Sequence, residues 1–241
     1  MESVVERTVE SVESAVEKTV EHIDEAVSQI KAVLERPKLR GRLHLTAAVL
    51  SIGALVLLVR SARSTEAMVA AWVYGVSSLL LYTTSGTYHV FARSPRARRI
   101  MQRADHSMIY LLIAGSATPA LILLMDGWAR AALLALMWAG AATGIVLKLV
   151  AFERLNKVGA ALYIVLGWAG LLALPALMSH PGALALIVVA GVLYTVGAAL
   201  FAAGKPRLSP TWFGYHEVWH VMGTTAGVLL FVMNLGLIRA A

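Results

Sequence analysis

The chain has 241 residues, of which 59% are apolar and only 15% are charged. Soluble domains carry about 45–50% apolar and about 25% charged residues, so this composition excludes an ordinary soluble enzyme and a disordered chain. The absence of cysteine excludes disulfides, iron–sulfur clusters and thiolate zinc sites. The net charge of +7 is unevenly spread, because residues 1–36 hold 4 basic and 9 acidic side chains while the remainder is basic between apolar runs. This pattern indicates a membrane protein rather than a nucleic-acid-binding protein.

The N-terminal segment predicts an acidic amphipathic helix over residues 1–36, on the cytoplasmic side. Apolar residues recur at spacings of three and four from Val5 to Leu34, and Pro37 ends the pattern. The segment is too acidic to favour an anionic membrane surface. We expect it to stay solvated, or to pair with another copy through residues 5–34 in a coiled coil that contains one stutter. No signal peptide is expected, because the N-terminal residues are charged throughout.

Seven apolar stretches follow, and each is long enough to cross about 30 Å of hydrocarbon as a helix. Short polar or Gly/Pro-containing segments separate them. The sequence therefore predicts an all-α membrane protein in which residues 38–238 form a bundle of seven transmembrane helices. The predicted spans are 43–59, 67–91, 106–125, 128–148, 158–178, 182–203 and 213–237.

The Lys and Arg residues predict the orientation of the bundle, because cytoplasmic loops collect these residues. The flanks on the side of the N-terminal segment hold 14 of them, whereas the opposite flanks hold 4. This bias predicts a multi-pass protein of the cell membrane with a cytoplasmic N terminus and an external C terminus. The larger set is Arg36, Lys38, Arg40, Arg42, Arg93, Arg96, Arg98, Arg99, Arg103, Lys148, Arg154, Lys157, Lys205 and Arg207, and the smaller set is Arg60, Arg63, Arg130 and Arg239.

Ionisable residues inside or beside the spans are functional candidates, because a bilayer makes them costly to bury. Under the predicted topology, such residues gather at the cytoplasmic ends of the first, second, third and seventh spans. They are His44, His89, Asp105, His106, His216, Glu217 and His220. Their convergence on one depth predicts a polar site at that side of the membrane.

The seventh span begins with two histidines, His216 and His220, at positions i and i+4. This spacing puts both imidazoles on one helical face, where they can reach one zinc ion. With Glu217, the stretch also satisfies the H-E-x-x-H pattern of metalloproteases, in which the Glu is the general base. No His, Asp or Glu follows His220 to supply a third ligand, and Asp126 is expected on the outer side. The protease interpretation is therefore weak. Glu217 points away from the shared face, so we expect it to support the ligand shell or to be structural.

The second span supplies a better third ligand, His89. Ser85 and His89 lie on one helical face, one turn apart. Three imidazoles with an open fourth position form a catalytic type of zinc site, although they would also accept other transition metals. Asp105, at the same depth, is predicted to accept a hydrogen bond from a water on the metal and to act as its base or to orient it. Ser85 is predicted to donate to a polarised carbonyl oxygen or to support the ligand shell.

Structural explanations compete with these roles. A single histidine at a membrane interface is commonly an amphipathic anchor, which is our expectation for His44. Asp105 could instead cap the N terminus of its helix. His106 could orient Asp105 or contact the headgroup region. The pair formed by His216 and His220 is harder to explain without a ligand role.

Three stretches together resemble one known family. They read S-G-T-Y-H at 85–89, D-H-S-M-I-Y-L-L-I-A-G-S-A-T-P at 105–119 and F-G-Y-H-E-V-W-H at 213–220. On these motifs, residues 38–238 resemble the hemolysin III family, the bacterial branch of the superfamily that includes the adiponectin and progestin receptors (PAQR proteins). The R-G-R-L-H stretch at 40–44 looks like the start of the first span in an actinobacterial-type subgroup.

The resemblance implies a seven-helix bundle with a cytoplasmic N terminus. It also implies a zinc ion held by His89, His216 and His220, with Asp105 near the metal's water and Ser85 in the same polar shell. The chain departs from the family in one respect, since many members carry an Asn or an acidic residue early in the first span. This chain has neither there.

Three functions are consistent with these patterns, and membrane lipids are the expected partners in each. The first is a zinc-dependent hydrolase of a lipid amide or ester, because the resemblance extends to the metal site of the receptors and of alkaline ceramidases. The second is a receptor-like regulator of membrane lipid state, or lipid-homeostasis factor, in which zinc only joins the second and seventh spans. The third is the channel-forming cytolysin that the family name states, although no span carries a polar stripe along its length.

Overall fold

The computed structural model describes the backbone of residues 2–34, 37–209 and 211–241. Over these residues the regular structure is helical, apart from one isolated antiparallel bridge between Ser209 and Phe213. Seven helical spans within the described ranges are long and apolar enough to cross a membrane, which confirms the predicted fold class. The elements are α1 (Glu2–Leu34), α2 (Arg42–Ser61), α3 (Thr65–Phe91), α4 (Pro95–Leu124), α5 (Gly127–Val150), α6 (Asn156–Ala169), a 3-10 turn (Gly170–Ala173), α7 (Leu174–Leu177), α8 (Pro181–Ala202) and α9 (Tyr215–Ala240).

The spans begin and end close to their predicted positions, with one exception. Helix α4 begins at Pro95 rather than near residue 106. Ser94 caps this helix by accepting a hydrogen bond from the backbone N–H of Ala97, and Pro95 occupies the first turn, where its missing N–H costs nothing. The arginine-rich segment that the sequence predicted as a connection is therefore mostly helical.

The fifth span is interrupted where the sequence contains a proline. Helix α6 gives way to the 3-10 turn, and α7 then continues the span with Pro175 in its first turn. A proline ring clashes with the carbonyl four residues earlier and donates no hydrogen bond, so the helix cannot run through it undisturbed. Pro119, by contrast, lies inside α4 without ending it.

The bundle is organised around α3, α4 and α9, which are its most buried spans. Helix α2 packs on α3, α5 packs on α4, and α8 packs on α9. Small residues allow the central helices to approach closely, since a Cβ added to Gly115 would lie 2.2 Å from Oγ of Ser77. Because short connections reverse the chain after every span, α2, α4 and α9 begin at the same end at which α3 and α5 end. We call this end, which carries His44, His89 and His216, the histidine end.

Helix α1 precedes the bundle and, as predicted, ends before Pro37. Its described side chains are those of residues 10–24, 26 and 27, and all of them are exposed. Four residues of the predicted apolar pattern lie outside the described side chains: Val5, Val9, Ile30 and Leu34. Arg36, from the Lys and Arg set that predicts orientation, also lies outside the described residues. Pairing through residues 5–34 therefore stays a prediction, as does the division of the chain into segments 1–36 and 38–238.

Candidate metal centre

Three histidines meet at the histidine end. His89 lies in the last turn of α3, and His216 and His220 lie in the first turns of α9. One ring nitrogen from each of them lies within 4.8 Å of those of the other two. His89 and His220 are buried, and His216 is half-buried. The three imidazoles that the sequence singled out are therefore close enough to bind a metal ion.

The spacing of two of these nitrogens fits a tetrahedral metal ion. Two nitrogens that each lie about 2.0–2.1 Å from such an ion are about 3.4 Å apart, and Nε2 of His216 lies 3.3 Å from Nε2 of His89. Nε2 of His220 is buried and has no hydrogen-bond partner among the described residues. A buried polar atom without a partner costs about 1–3 kcal/mol. A metal ion bound to this nitrogen would give it a partner and so remove that cost.

A carboxylate lies beside the histidines. Oδ2 of Asp105 is 3.9 Å from Nε2 of His89 and 3.7 Å from Nδ1 of His106. Ser85, which is buried one turn before His89, interacts with the same carboxyl group through its side chain. The explanation of Asp105 as a helix cap is wrong, because Ser94 caps α4, which begins at Pro95, and Asp105 lies about three turns inside the helix.

His106 follows Asp105 in α4 but is held by other contacts. Its Nδ1 lies 2.9 Å from the carbonyl oxygen of Gln102, and its ring packs edge-on against Phe152. The hydroxyl of Tyr163 donates a hydrogen bond of 2.8 Å to its backbone carbonyl oxygen. His106 therefore borders the site while its ring is fixed by its own helix.

Glu217 is fully buried, and both of its oxygens are engaged. Oε1 accepts a hydrogen bond from Nε of Arg40, and Oε2 accepts one of 2.7 Å from the backbone N–H of Gly214. The second contact completes a capping box at the start of α9. A general base needs a free oxygen beside the metal, so the metalloprotease interpretation is not supported. The structural role expected for Glu217 is what its contacts provide.

The sequence interpretation placed His44 at the depth of this site but assigned it the wrong role. Its side chain is only 7% exposed, and its Nε2 lies 2.9 Å from Nδ1 of His220. The expectation that His44 is an interfacial anchor is wrong, because its ring is buried inside the bundle against His220. Its position at the same depth as His89 and His220 was the signal in the sequence that favoured a role in the site.

Gly41 joins the segment before α2 to this site. Its φ of +78° lies in the left-handed region that only glycine adopts readily. A Cβ added there would lie 2.5 Å from Cβ of His89. The backbone at the start of α2 therefore packs directly against a metal-site histidine.

Comparison with known proteins places these features in a family. The family model described as Haemolysin-III related matches residues 33–232, which include all the residues of the site. The chain is 34% identical over 193 residues to Hemolysin-3 of Bacillus cereus, covering 78% of this chain and 85% of that protein. It is 34% identical over 197 residues to the Hemolysin-3 homolog of Bacillus subtilis (strain 168), covering 79% and 89% of the two chains. It is also 25% identical over 165 residues to the Monocyte to macrophage differentiation factor of Homo sapiens, covering 67% of each chain. The resemblance seen in the motifs is thereby confirmed, and the chain belongs to the haemolysin-III related family.

Proposed function

We propose that this protein is a membrane-embedded, zinc-dependent hydrolase of lipid amides. One observation carries the proposal: three histidine nitrogens lie within 4.8 Å of one another, and the Asp105 carboxylate lies 3.9 Å from one of them. A metal held by three imidazoles keeps a fourth position open, as catalytic zinc sites do. When bound, zinc polarises a carbonyl oxygen and makes water a better nucleophile.

The metal in this proposal is zinc. The chain has no cysteine, and the three nitrogens are imidazoles that also suit copper, nickel and cobalt. Zinc has no geometric preference from its d electrons and is commonly found in tetrahedral sites with histidine ligands. A hydrolytic reaction needs no redox change, which is a further reason to assign zinc.

The protein's own residues supply the proton transfer. Asp105 takes a proton from the attacking water and returns it to the leaving amine nitrogen, so that one water and one amide give a fatty acid and an amine. Ser85 holds the Asp105 carboxyl group in place through the interaction of their side chains. His106, whose ring is fixed to the Gln102 carbonyl, borders the same carboxylate and limits its movement.

The location of the site favours a lipid substrate. The histidines lie at one end of a bundle whose outer surface is apolar, so a lipid can reach the site without leaving the bilayer. Large apolar side chains flank this end and are exposed, including Phe91, the last residue of α3, and Trp212, which precedes α9. Such aromatic residues are typical of the boundary between hydrocarbon and headgroups.

We place the histidine end on the cytoplasmic side, on the basis of the Lys and Arg residues that flank it. The chain has no cysteine, so single cysteines report directly on exposure. In intact cells, an impermeant maleimide should label Trp128→Cys, at the opposite end, and leave Arg96→Cys unlabelled until the cells are opened. Both positions are exposed on the protein, so access across the membrane alone decides the result. The reverse labelling pattern would contradict this orientation.

The hydrolase is tested with purified protein in lipid nanodiscs that contain an N-acyl sphingoid lipid. Released fatty acid, measured by mass spectrometry, should fall by about 10²- to 10⁴-fold in Asp105→Asn, the range expected for loss of general acid–base catalysis. Zinc content should stay unchanged in that variant, because Asp105 is not one of the three proposed ligands. His180→Ala, an exposed histidine after α7, serves as the matched control and should keep full activity.

Two other functions would give different results in the same assays. A zinc-stabilised regulator of membrane lipid state would bind zinc without turnover on any lipid amide or ester, and Asp105→Asn would retain its signalling.

The Bacillus relatives carry the name hemolysin, which favours a test of lytic activity. Release of an encapsulated dye from vesicles by the wild type, without lipid cleavage, would support a cytolysin and contradict the hydrolase.

A further inference from the structure

His44 is buried in the bundle beside the proposed metal ligands without being one of them. Its ring lies 3.9 Å from that of His220, centroid to centroid, and crosses it at 78°. Nε2 of His44 lies 2.9 Å from Nδ1 of His220. A buried imidazole that contacts another imidazole in this way needs an explanation, because burying a polar ring in a membrane bundle is costly.

This contact decides which nitrogen of His220 is free. A neutral imidazole carries one N–H, so one ring of the pair donates and the other accepts. If Nδ1 of His220 donates, its Nε2 keeps a free lone pair. Nε2 is the atom that is buried without a hydrogen-bond partner among the described residues. The opposite arrangement puts a proton on that atom and blocks it as a ligand.

Hydrogen bonding alone does not favour either arrangement. If Nδ1 of His220 donates, the N–H of His44 is on its Nδ1. If instead Nε2 of His44 donates, the N–H of His220 is on its Nε2. Nδ1 of His44 and Nε2 of His220 are both buried without a partner in the described part of the chain. A metal bound to Nε2 of His220 favours one of the two arrangements. The metal needs the lone pair of that nitrogen, so the N–H of His220 must be on Nδ1, which is then the donor. Ligand histidines commonly donate their second N–H to a neighbouring acceptor.

We propose that His44 is the acceptor that positions His220 for metal binding. It accepts the Nδ1–H of His220, fixes the tautomer with a free Nε2 and holds the ring at its observed angle. This inference rests on the proposed metal site and assigns His44 no contact with substrate.

The packing of α2 on α3 keeps His44 in place for this role. A Cβ added to Gly41 would lie 2.5 Å from Cβ of His89, and one added to Gly86 would lie 2.9 Å from the backbone nitrogen of Leu45. The start of α2 therefore lies directly against the end of α3 at both glycines. His44 lies between these two contacts in the chain, so the close packing of the two helices fixes where its ring meets His220.

The test compares two substitutions of similar size, His44→Gln and His44→Met. The Gln side-chain oxygen can accept a hydrogen bond, whereas the Met side chain is at most a weak acceptor. Zinc affinity is measured on the full-length protein in detergent by competition with a chelator. His44→Met should bind zinc about 10- to 100-fold more weakly than the wild type, the range found when the partner of a metal-ligating histidine is lost. His44→Gln should recover most of this affinity.

Ser51→Ala is the matched control on the same helix. Ser51 is buried in α2 and donates only to the carbonyl oxygen of Ala47, so zinc affinity should equal that of the wild type. Wild-type affinity in His44→Met would overturn the role of His44 and leave the proposed metal site standing. A wild-type protein that binds no zinc would overturn both.

A second measurement does not depend on the folding of any variant. In the zinc-loaded wild type, nitrogen chemical shifts of the histidine rings report which nitrogen carries the proton. The inference predicts a proton on Nδ1 of His220 and none on Nε2 of His44. Finding the proton on Nε2 of His44 would overturn the inference even if both His44 variants failed to fold.

Discussion

The histidine end of the bundle and helix α1 differ in what surrounds their characteristic side chains. At the histidine end, polar groups from α2, α3, α4 and α9 contact one another within apolar helices. Along α1, the valine face remains about half exposed, with Val12, Val16 and Val20 between 52% and 56%. A polar group without a partner in hydrocarbon costs several kcal/mol, whereas exposing part of a valine to water costs roughly 1 kcal/mol.

This difference shows which sequence signals determine three-dimensional contacts. The buried polar groups of the histidine end must hydrogen-bond or pair with one another, because the apolar side chains around them cannot serve as partners. The valines of α1 can remain in water, so their spacing defines a helix without defining what it contacts. Substitutions at the histidine end should therefore have large effects, and substitutions on α1 small ones.

The largest loss of stability is expected for Glu217→Ala. Glu217 is fully buried and bonds both Arg40 and the start of α9, and removing one partner of a buried ion pair costs about 3–5 kcal/mol. The free energy of unfolding, measured by denaturation in detergent, should fall by about 3 kcal/mol because Arg40 is partly solvated. Glu153→Ala, at an exposed position between α5 and α6, is the control and should change it little. Equal stability of the two variants would contradict the structural role of Glu217.

A smaller but specific effect is expected for Gly41→Ala. An alanine in the left-handed region costs about 1–2 kcal/mol, and its Cβ would also clash with Cβ of His89. We expect a lower melting temperature together with weaker zinc binding. Gly53→Ala is the matched control on α2, because a Cβ there meets nothing within 4 Å. An alanine inside a helix should leave the protein equally or slightly more stable. A zinc affinity of Gly41→Ala equal to that of Gly53→Ala would show that α2 does not support the site.

The smallest effect is expected from polar substitutions on α1. The double substitution Val16→Ser and Val20→Ser should change the free energy of unfolding by less than about 0.5 kcal/mol, as is usual for exposed positions. Zinc content should stay the same. If α1 pairs with another copy, the mass measured by light scattering should fall in this variant. Loss of zinc from it would contradict the separation between α1 and the site.

Much of this arrangement was predictable from the sequence. A bilayer imposes a length on apolar helices and a cost on charged groups, so the spans and the depth of His89, His216 and His220 followed from hydropathy alone. The i, i+4 spacing of the last two fixed their common face. Asp105 followed from its position at the same depth and Ser85 from its one-turn spacing to His89, and the family motifs implied the same two residues.

Other features depend on how the helices are rotated against one another, which the periodicity of one helix does not determine. The partner of His44 is set by the close packing of α2 on α3 at Gly41 and Gly86. The early start of α4 had a local signal, Ser94 followed by Pro95, but the arginines after it resembled a loop. The partner of Glu217 is Arg40, 177 positions away, and no local pattern links the two.

The central claim is that the histidine end holds one metal ion between α3 and α9. The most direct test is the metal content of the purified full-length protein, measured by elemental mass spectrometry for the wild type, His89→Ala and His220→Ala. About one zinc per chain should be found in the wild type and none in either variant, because each variant removes one of three ligands from a different helix. His180→Ala should keep the wild-type content. A wild type without metal, or variants that retain it, would contradict the account.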